Sequence, residues 1–213
     1  VHHESGNAVE EIFNSLTHAI GAGLSIAGLV ALLFITTLEP DPWKFVSFSV
    51  YGATQIMLFL SSAVLHSFAT MPRIRYYLRI IDQAFVFVLI AGTYTPLALV
   101  AMRDNWGWTL FGVIWGLAVL GILLKVFIPR GGVLTDLVYV PMGWLVLLFF
   151  RPFLESTSAG FALWALIGGA CYTLGVAFYA WKRLPFSHTV WHLFVIAGSL
   201  SFFMAYAAHL APA

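Results

Sequence analysis

The chain has 213 residues, of which 61% are hydrophobic and only 9% charged, and its mean hydropathy is +0.93. Soluble domains carry about 25% charged residues, so this composition excludes a soluble globular protein and points to an integral membrane protein. A formal net charge of +1 offers no basic surface to a nucleic-acid partner.

Apolar runs near the ~20 residues that a helix needs to cross ~30 Å of hydrocarbon recur along the chain. They fall at about 14–38, 44–67, 79–101, 107–128, 134–153, 160–181 and 187–210. None shows the ten-residue alternation of a barrel strand, and backbone amides in lipid must be satisfied within their own segment. The expectation is an all-α integral membrane protein, a seven-transmembrane helix bundle forming a single domain over 1–213, with no room for a soluble domain.

His2 and His3 precede the first span, in a sequence that begins at Val1, and carry no weight. The first span is too long, with the wrong flanks, for a cleaved signal peptide. It opens on Glu11, Asn14 and His18, whose i, i+3, i+7 spacing makes a polar stripe on one helix face. Behind them Gly21, Gly23, Ser25 and Gly28 are small residues that let helices approach closely, within the bundle or between copies. The second span closes on Ser62 and His66, four apart, and the third opens on Asp82. Gly112 and Gly116 form G-x-x-x-G in the fourth; packing inside the bundle is the favoured use, with a homo-oligomer contact as the other.

The fifth span opens on Asp136 and Tyr139. They would touch the polar site, or Asp136 would simply be a carboxylate favoured by a helix amino terminus. Cys171, the single cysteine, lies beside Gly168 and Gly169 in the sixth span, permits no internal disulfide and reads as a buried packing residue. The seventh opens with SHTVWHL, which places His188 and His192 four residues apart, and it ends near His209, read as interfacial. Trp43, Trp106, Trp108 and Trp164 fall near span ends, as an aromatic belt would.

Seven of the ten basic residues follow spans two, four and six: Arg73, Arg75, Arg79, Lys125, Arg130, Lys182 and Arg183. Lys44, Arg103 and Arg151 follow the odd spans. The basic excess marks the cytoplasmic side, which puts the amino terminus in the cytoplasm and the carboxyl terminus outside. The same orientation brings Glu11, Asn14, His18, Ser62, His66, Asp82, Asp136, His188 and His192 to the cytoplasmic ends of their helices.

An ionisable residue inside a span costs about 2.5–3.5 kcal/mol on insertion scales, so each is a functional hypothesis. Positions four apart on a helix lie ~40° apart in azimuth and ~6 Å apart along the axis, so His188 and His192 face one way and can share a metal ion. Three histidines with an open fourth position make a catalytic-type zinc site, and a nearby carboxylate orients or deprotonates a bound water. The expected ligands are His66, His188 and His192, with Asp82 beside them. Iron or manganese would fit if Asp82 bound the metal directly.

EEIFNSLTH (10–18), SSAVLH (61–66), the aspartate of RIIDQAF (79–85) and HTVWH (188–192) together resemble the hemolysin III family. That family is the bacterial branch of the progestin and adipoQ receptor proteins, in a superfamily with the alkaline ceramidases. The resemblance covers all seven spans. It implies that His66, His188 and His192 bind Zn2+, that Asp82 and Ser62 stand beside the metal-bound water, and that Glu11, Asn14 and His18 form a second shell or gate. Receptor relatives carry a long cytosolic amino-terminal region that is not in this sequence, so no hormone-receptor role is expected.

The resulting expectation is a zinc-dependent intramembrane hydrolase of a lipid amide or ester in the bacterial plasma membrane, acting from the cytoplasmic side. Asp82 would take the proton, and Ser62 would hydrogen-bond the developing oxyanion. Ceramidase-like amide hydrolysis rests on superfamily analogy alone. The alternatives are a non-enzymatic lipid-homeostasis or sensor protein with a structural zinc, and a cytolytic pore. Against the pore, no polar stripe in the sequence continues to the far side.

Overall fold

Proline and capping residues set three of the helix starts. Pro42 and Pro72 occupy first-turn positions, where a missing N–H is harmless, and Asp41 caps the first of these helices by accepting from Trp43 N at 2.8 Å. Ser158 accepts from Phe161 N in the same way further along the chain. The computed structural model describes residues 8–128, 136–181 and 183–211. Arg130 and Lys182 of the charge count, and the first two residues of the expected fifth span, lie outside the described residues.

The helices are α1 (Ala8–Leu38), α2 (Pro42–Ser67), α3 (Pro72–Pro96), α4 (Trp108–Phe127), α5 (Tyr139–Gly143), α6 (Phe150–Ser156), α7 (Ala159–Ala180) and α8 (Ser187–His209). Beyond Pro96 the chain continues as a π-helical turn, Leu97–Ala101, and then kinks within Arg103–Gly107, where Asn105 (φ −139°, ψ 80°) and left-handed Trp106 (φ 68°) leave helical geometry at the bend into α4. Among the described residues no strand occurs, and six helices are long and apolar enough to cross a membrane. The chain is a helical membrane protein.

The segment 136–156 departs from the single helix expected there. It is α5, a 3-10 stretch Leu145–Phe149, and α6 in succession. Pro141 and Pro152 lack the N–H that a continuous helix needs, and Gly143 loosens the turn between them. The break is mended by a side chain: the Tyr94 hydroxyl donates to the Gly143 carbonyl at 2.6 Å and accepts from Val146 N at 3.1 Å. Non-helical backbone at membrane depth is tolerated where protein satisfies it in this way.

Packing follows a ring. α1 lies against α2 and α8, α2 against α3, α3 against α4, and α7 against α8, with α5 closing on α3. One end of the ring carries Glu11, His66, Arg75, Lys125, Asp136 and His188, which pair with one another across six segments; we call it the histidine end. At the other end His209 accepts or donates at Ser158 (Nδ1 to Oγ 3.2 Å) and packs over Gly160, so it is held between helices rather than simply interfacial.

The apolar core occupies the middle and far half, around Phe48, Phe87, Met102, Leu110, Ile114, Phe161 and Tyr206. Lipid tails are as apolar as leucine, so helix association there depends on close packing and hydrogen bonds. Gly121 and Gly92 supply close approaches between helices: a Cβ at either would collide with Phe87 or Thr54 respectively. Gly112 and Gly116 do not pack inside the bundle as expected, since a Cβ at either meets nothing within 4 Å.

Candidate metal centre

Phe186, the residue just before α8, holds the left-handed conformation (φ 57°), and its ring makes an edge-on contact with Phe13 of α1, 5.8 Å between centroids. That conformation costs a residue with a side chain about 1–2 kcal/mol. It turns the chain so that the first two turns of α8 present His188 and His192 to α1 and α2.

His66 of α2 reaches the same point. His66 Nε2 and His188 Nε2 are 3.2 Å apart, and one ligand atom from each of His66, His188 and His192 lies within 4.8 Å of the others. His192 is fully buried, His66 is 5% exposed, and His188 is half-buried.

The tautomers follow from the partners. His66 Nδ1 lies 2.6 Å from Glu11 Oε2, and a carboxylate only accepts, so Nδ1 carries the proton and Nε2 a lone pair. Arg75 donates to the other oxygen of Glu11. His192 Nδ1 donates to the Asn14 carbonyl at 3.1 Å, with Thr17 Oγ1 at 3.2 Å, which leaves its Nε2 as a second lone pair with no hydrogen-bond partner among the described residues. Asn14 is itself fixed by Thr189, whose hydroxyl donates to Asn14 Oδ1 at 2.5 Å.

Two lone-pair nitrogens aimed into a point where a third imidazole nitrogen already stands need a cation or a proton between them. Three imidazoles, two of them with the remote nitrogen fixed by a hydrogen bond, are the donor set that zinc takes with one position left over. The residues present therefore fit a metal ion.

Asp82, His66 and His188 line one cavity of about 370 Å³, together with Arg79, Gln83, Asp136 and Tyr179, and His192 lies buried behind them. Ser61 Oγ reaches Asp82 Oδ1 at 3.4 Å, while Ser62, one residue on, stands beside the same carboxyl with its own Oγ unbonded. His18, a turn deeper than Asn14, stacks flat on His192 with ring centroids 3.5 Å apart and planes at 13°. Every residue singled out in the sequence at this end is thus brought into one neighbourhood.

Asp136 is not merely a carboxylate at a helix start. It pairs with the buried ammonium of Lys125 and accepts from the Tyr179 hydroxyl at 3.1 Å and Gln83 Nε2 at 3.5 Å. Sequence reasoning missed Thr17, Thr189 and Tyr179, and it read Arg75 and Lys125 only as markers of sidedness.

Residues 7–203 match the family described as Haemolysin-III related. The chain is 40% identical over 205 residues to "Hemolysin-3" of Bacillus cereus, covering 95% of this chain and 93% of that protein. It is 43% identical over 196 residues to "Hemolysin-3 homolog" of Bacillus subtilis (strain 168), covering 91% of each. A more distant likeness, 28% over 202 residues, links it to the human "Monocyte to macrophage differentiation factor", with 87% of this chain and 78% of that protein covered.

Proposed function

The chain belongs to the hemolysin III family, and from that premise we propose that it is a zinc-dependent hydrolase of a lipid amide or ester in the bacterial plasma membrane. The observation that carries the reading is the convergence of three imidazole nitrogens within 4.8 Å beside a cavity that His66, His188 and Asp82 line. In the same proposal the histidine end faces the cytoplasm and 136–156 makes the seventh crossing.

Zinc in such a site supplies Lewis acidity and a nucleophilic water at neutral pH. Glu11 and Arg75 hold His66 in the tautomer that leaves Nε2 available, and Asn14 with Thr17 does the same for His192. Asp82 accepts the proton as water oxygen bonds to the scissile carbonyl carbon. It returns that proton to the leaving nitrogen or oxygen as the C–N or C–O bond breaks, giving a fatty acid and an amine or alcohol. Ser62 offers its hydroxyl to the oxyanion. A site at one end of the bundle suits a substrate whose chain stays in the membrane.

Purified protein should contain about one zinc per chain, and His188→Ala or His192→Ala should remove it. Lipid extracts from cells with and without the protein, and with the Asp82→Ala variant, then test turnover. A lipid amide or ester that accumulates equally without the protein and with Asp82→Ala supports the hydrolase. Full metal occupancy in both histidine variants would reject the ligand set. The second reading is a structural zinc tying α2 to α8 in a non-enzymatic protein, favoured by the fact that the ligands come from those two helices alone. It predicts a lower melting temperature on chelation but no lipid that depends on Asp82.

A further inference from the structure

His18 is 1% exposed, and neither of its ring nitrogens has a hydrogen-bond partner among the described residues. An unsatisfied buried polar group costs about 1–3 kcal/mol, so two on one ring call for a partner. The ring is held by two contacts: it stacks on His192 and stands perpendicular to Phe59, 5.0 Å between centroids.

His18 lines a second cavity, of about 80 Å³, whose walls include Leu58, Leu89, Val195 and Phe202. Asp82, Val86, Tyr139, Val176 and Trp191 line both this cavity and the one at the metal centre, so the two adjoin. A water takes about 30 Å³ of liquid volume, so the space holds a polar group and a few carbons. Its walls are mostly apolar, which suits the start of an alkyl chain.

We propose that His18 is a specificity residue that hydrogen-bonds a hydroxyl on the lipid chain, a few bonds from the group presented to the metal centre. The spacing follows from the shared wall: Asp82 and Trp191 line both cavities, and the His18 ring lies 3.5 Å from that of His192, so one molecule can extend from the metal centre to His18. A neutral imidazole presents one donor and one acceptor, and a hydroxyl can answer either. The assignment rests on the lipid-hydrolase reading for its ligand class.

The test compares N-hexadecanoyl amino alcohols with their 2-hydroxy and 3-hydroxy acyl counterparts. Retention of each by the purified, zinc-loaded protein is measured by native mass spectrometry, and kcat and KM are measured where turnover occurs. One net hydrogen bond predicts about three- to tenfold tighter retention of a hydroxylated lipid by the wild type. His18→Phe keeps the stack and should erase that preference with zinc content unchanged, while His18→Gln, which restores a donor and an acceptor, should recover part of it.

Equal retention of plain and hydroxylated lipids by the wild type overturns the proposal, and the nitrogens then serve internal water. A preference that survives in His18→Phe overturns it also. Because retention needs no turnover, a His18-dependent preference without hydrolysis supports this assignment while removing the hydrolase reading, and hydrolysis without preference does the reverse.

Discussion

Glu11 binds two partners with one carboxylate, His66 on one oxygen and Arg75 on the other. A carboxylate behind a ligand histidine fixes its tautomer and raises its basicity, and removing such a partner typically lowers metal affinity by about 10- to 100-fold. Glu11→Gln should therefore weaken zinc binding by that factor in a chelator competition; unchanged affinity would show that the histidines hold the metal without the Glu11 carboxylate. Asp82→Ala should leave zinc in place and remove turnover, whereas zinc loss as complete as in His66→Ala would make Asp82 a ligand. The stripe of Glu11, Asn14 and His18 was legible in the sequence because helical spacing puts all three on one face. Thr17 and Thr189 were not, because their contacts exist only once α1 packs on α8, and a threonine in a helix carries no periodic signal of that packing.

At the scale of the helix, hydropathy reported how long each apolar run is and nothing about its continuity. Pro141, Gly143 and Pro152 stood in the sequence, yet the run reads as one span because its composition is apolar throughout. Tyr94, more than 40 residues earlier, supplies what the break lacks. Tyr94→Phe strands a carbonyl and an amide, and should cost about 1–3 kcal/mol in detergent unfolding with little change in helical content.

The Lys125–Asp136 pair behaves differently, because both groups are buried charges. Lys125→Met leaves Asp136 uncompensated and should cost about 3–5 kcal/mol, while Lys125→Met with Asp136→Leu should recover most of that loss. Glycines sort by the same contacts. Gly116→Ala should be neutral or stabilise by up to about 1 kcal/mol, since open space lies where its methyl would go, but Gly121→Ala must displace Phe87 and should destabilise in the same assay.

Across the whole molecule, α1 and α8 both start at the histidine end, and 136–156 connects that end, through the Asp136–Lys125 pair, to the far end, where Ser158 meets His209. An odd number of crossings follows if each traverse spans the membrane, which is the proposed topology. The basic residues described at the histidine end include Arg73, Arg75, Arg79 and Lys125, whereas the far end has Lys44 on the Ala211 carbonyl and Arg103 over the Trp43 ring at 5.1 Å. This bias predicts a cytoplasmic metal centre. The test places single cysteines at Arg73 and at Asp104 in a Cys171→Ala background; Arg73 is exposed and, unlike Arg75, is not bonded to Glu11, and the Asp104 side chain is 95% exposed at the other end. An impermeant thiol reagent should label the Asp104 position in intact cells and the Arg73 position only in inverted vesicles. Labelling of the Arg73 position from outside would invert the bundle, put His66, His188 and His192 on the outer face, and leave a lipid hydrolase acting on the outer leaflet.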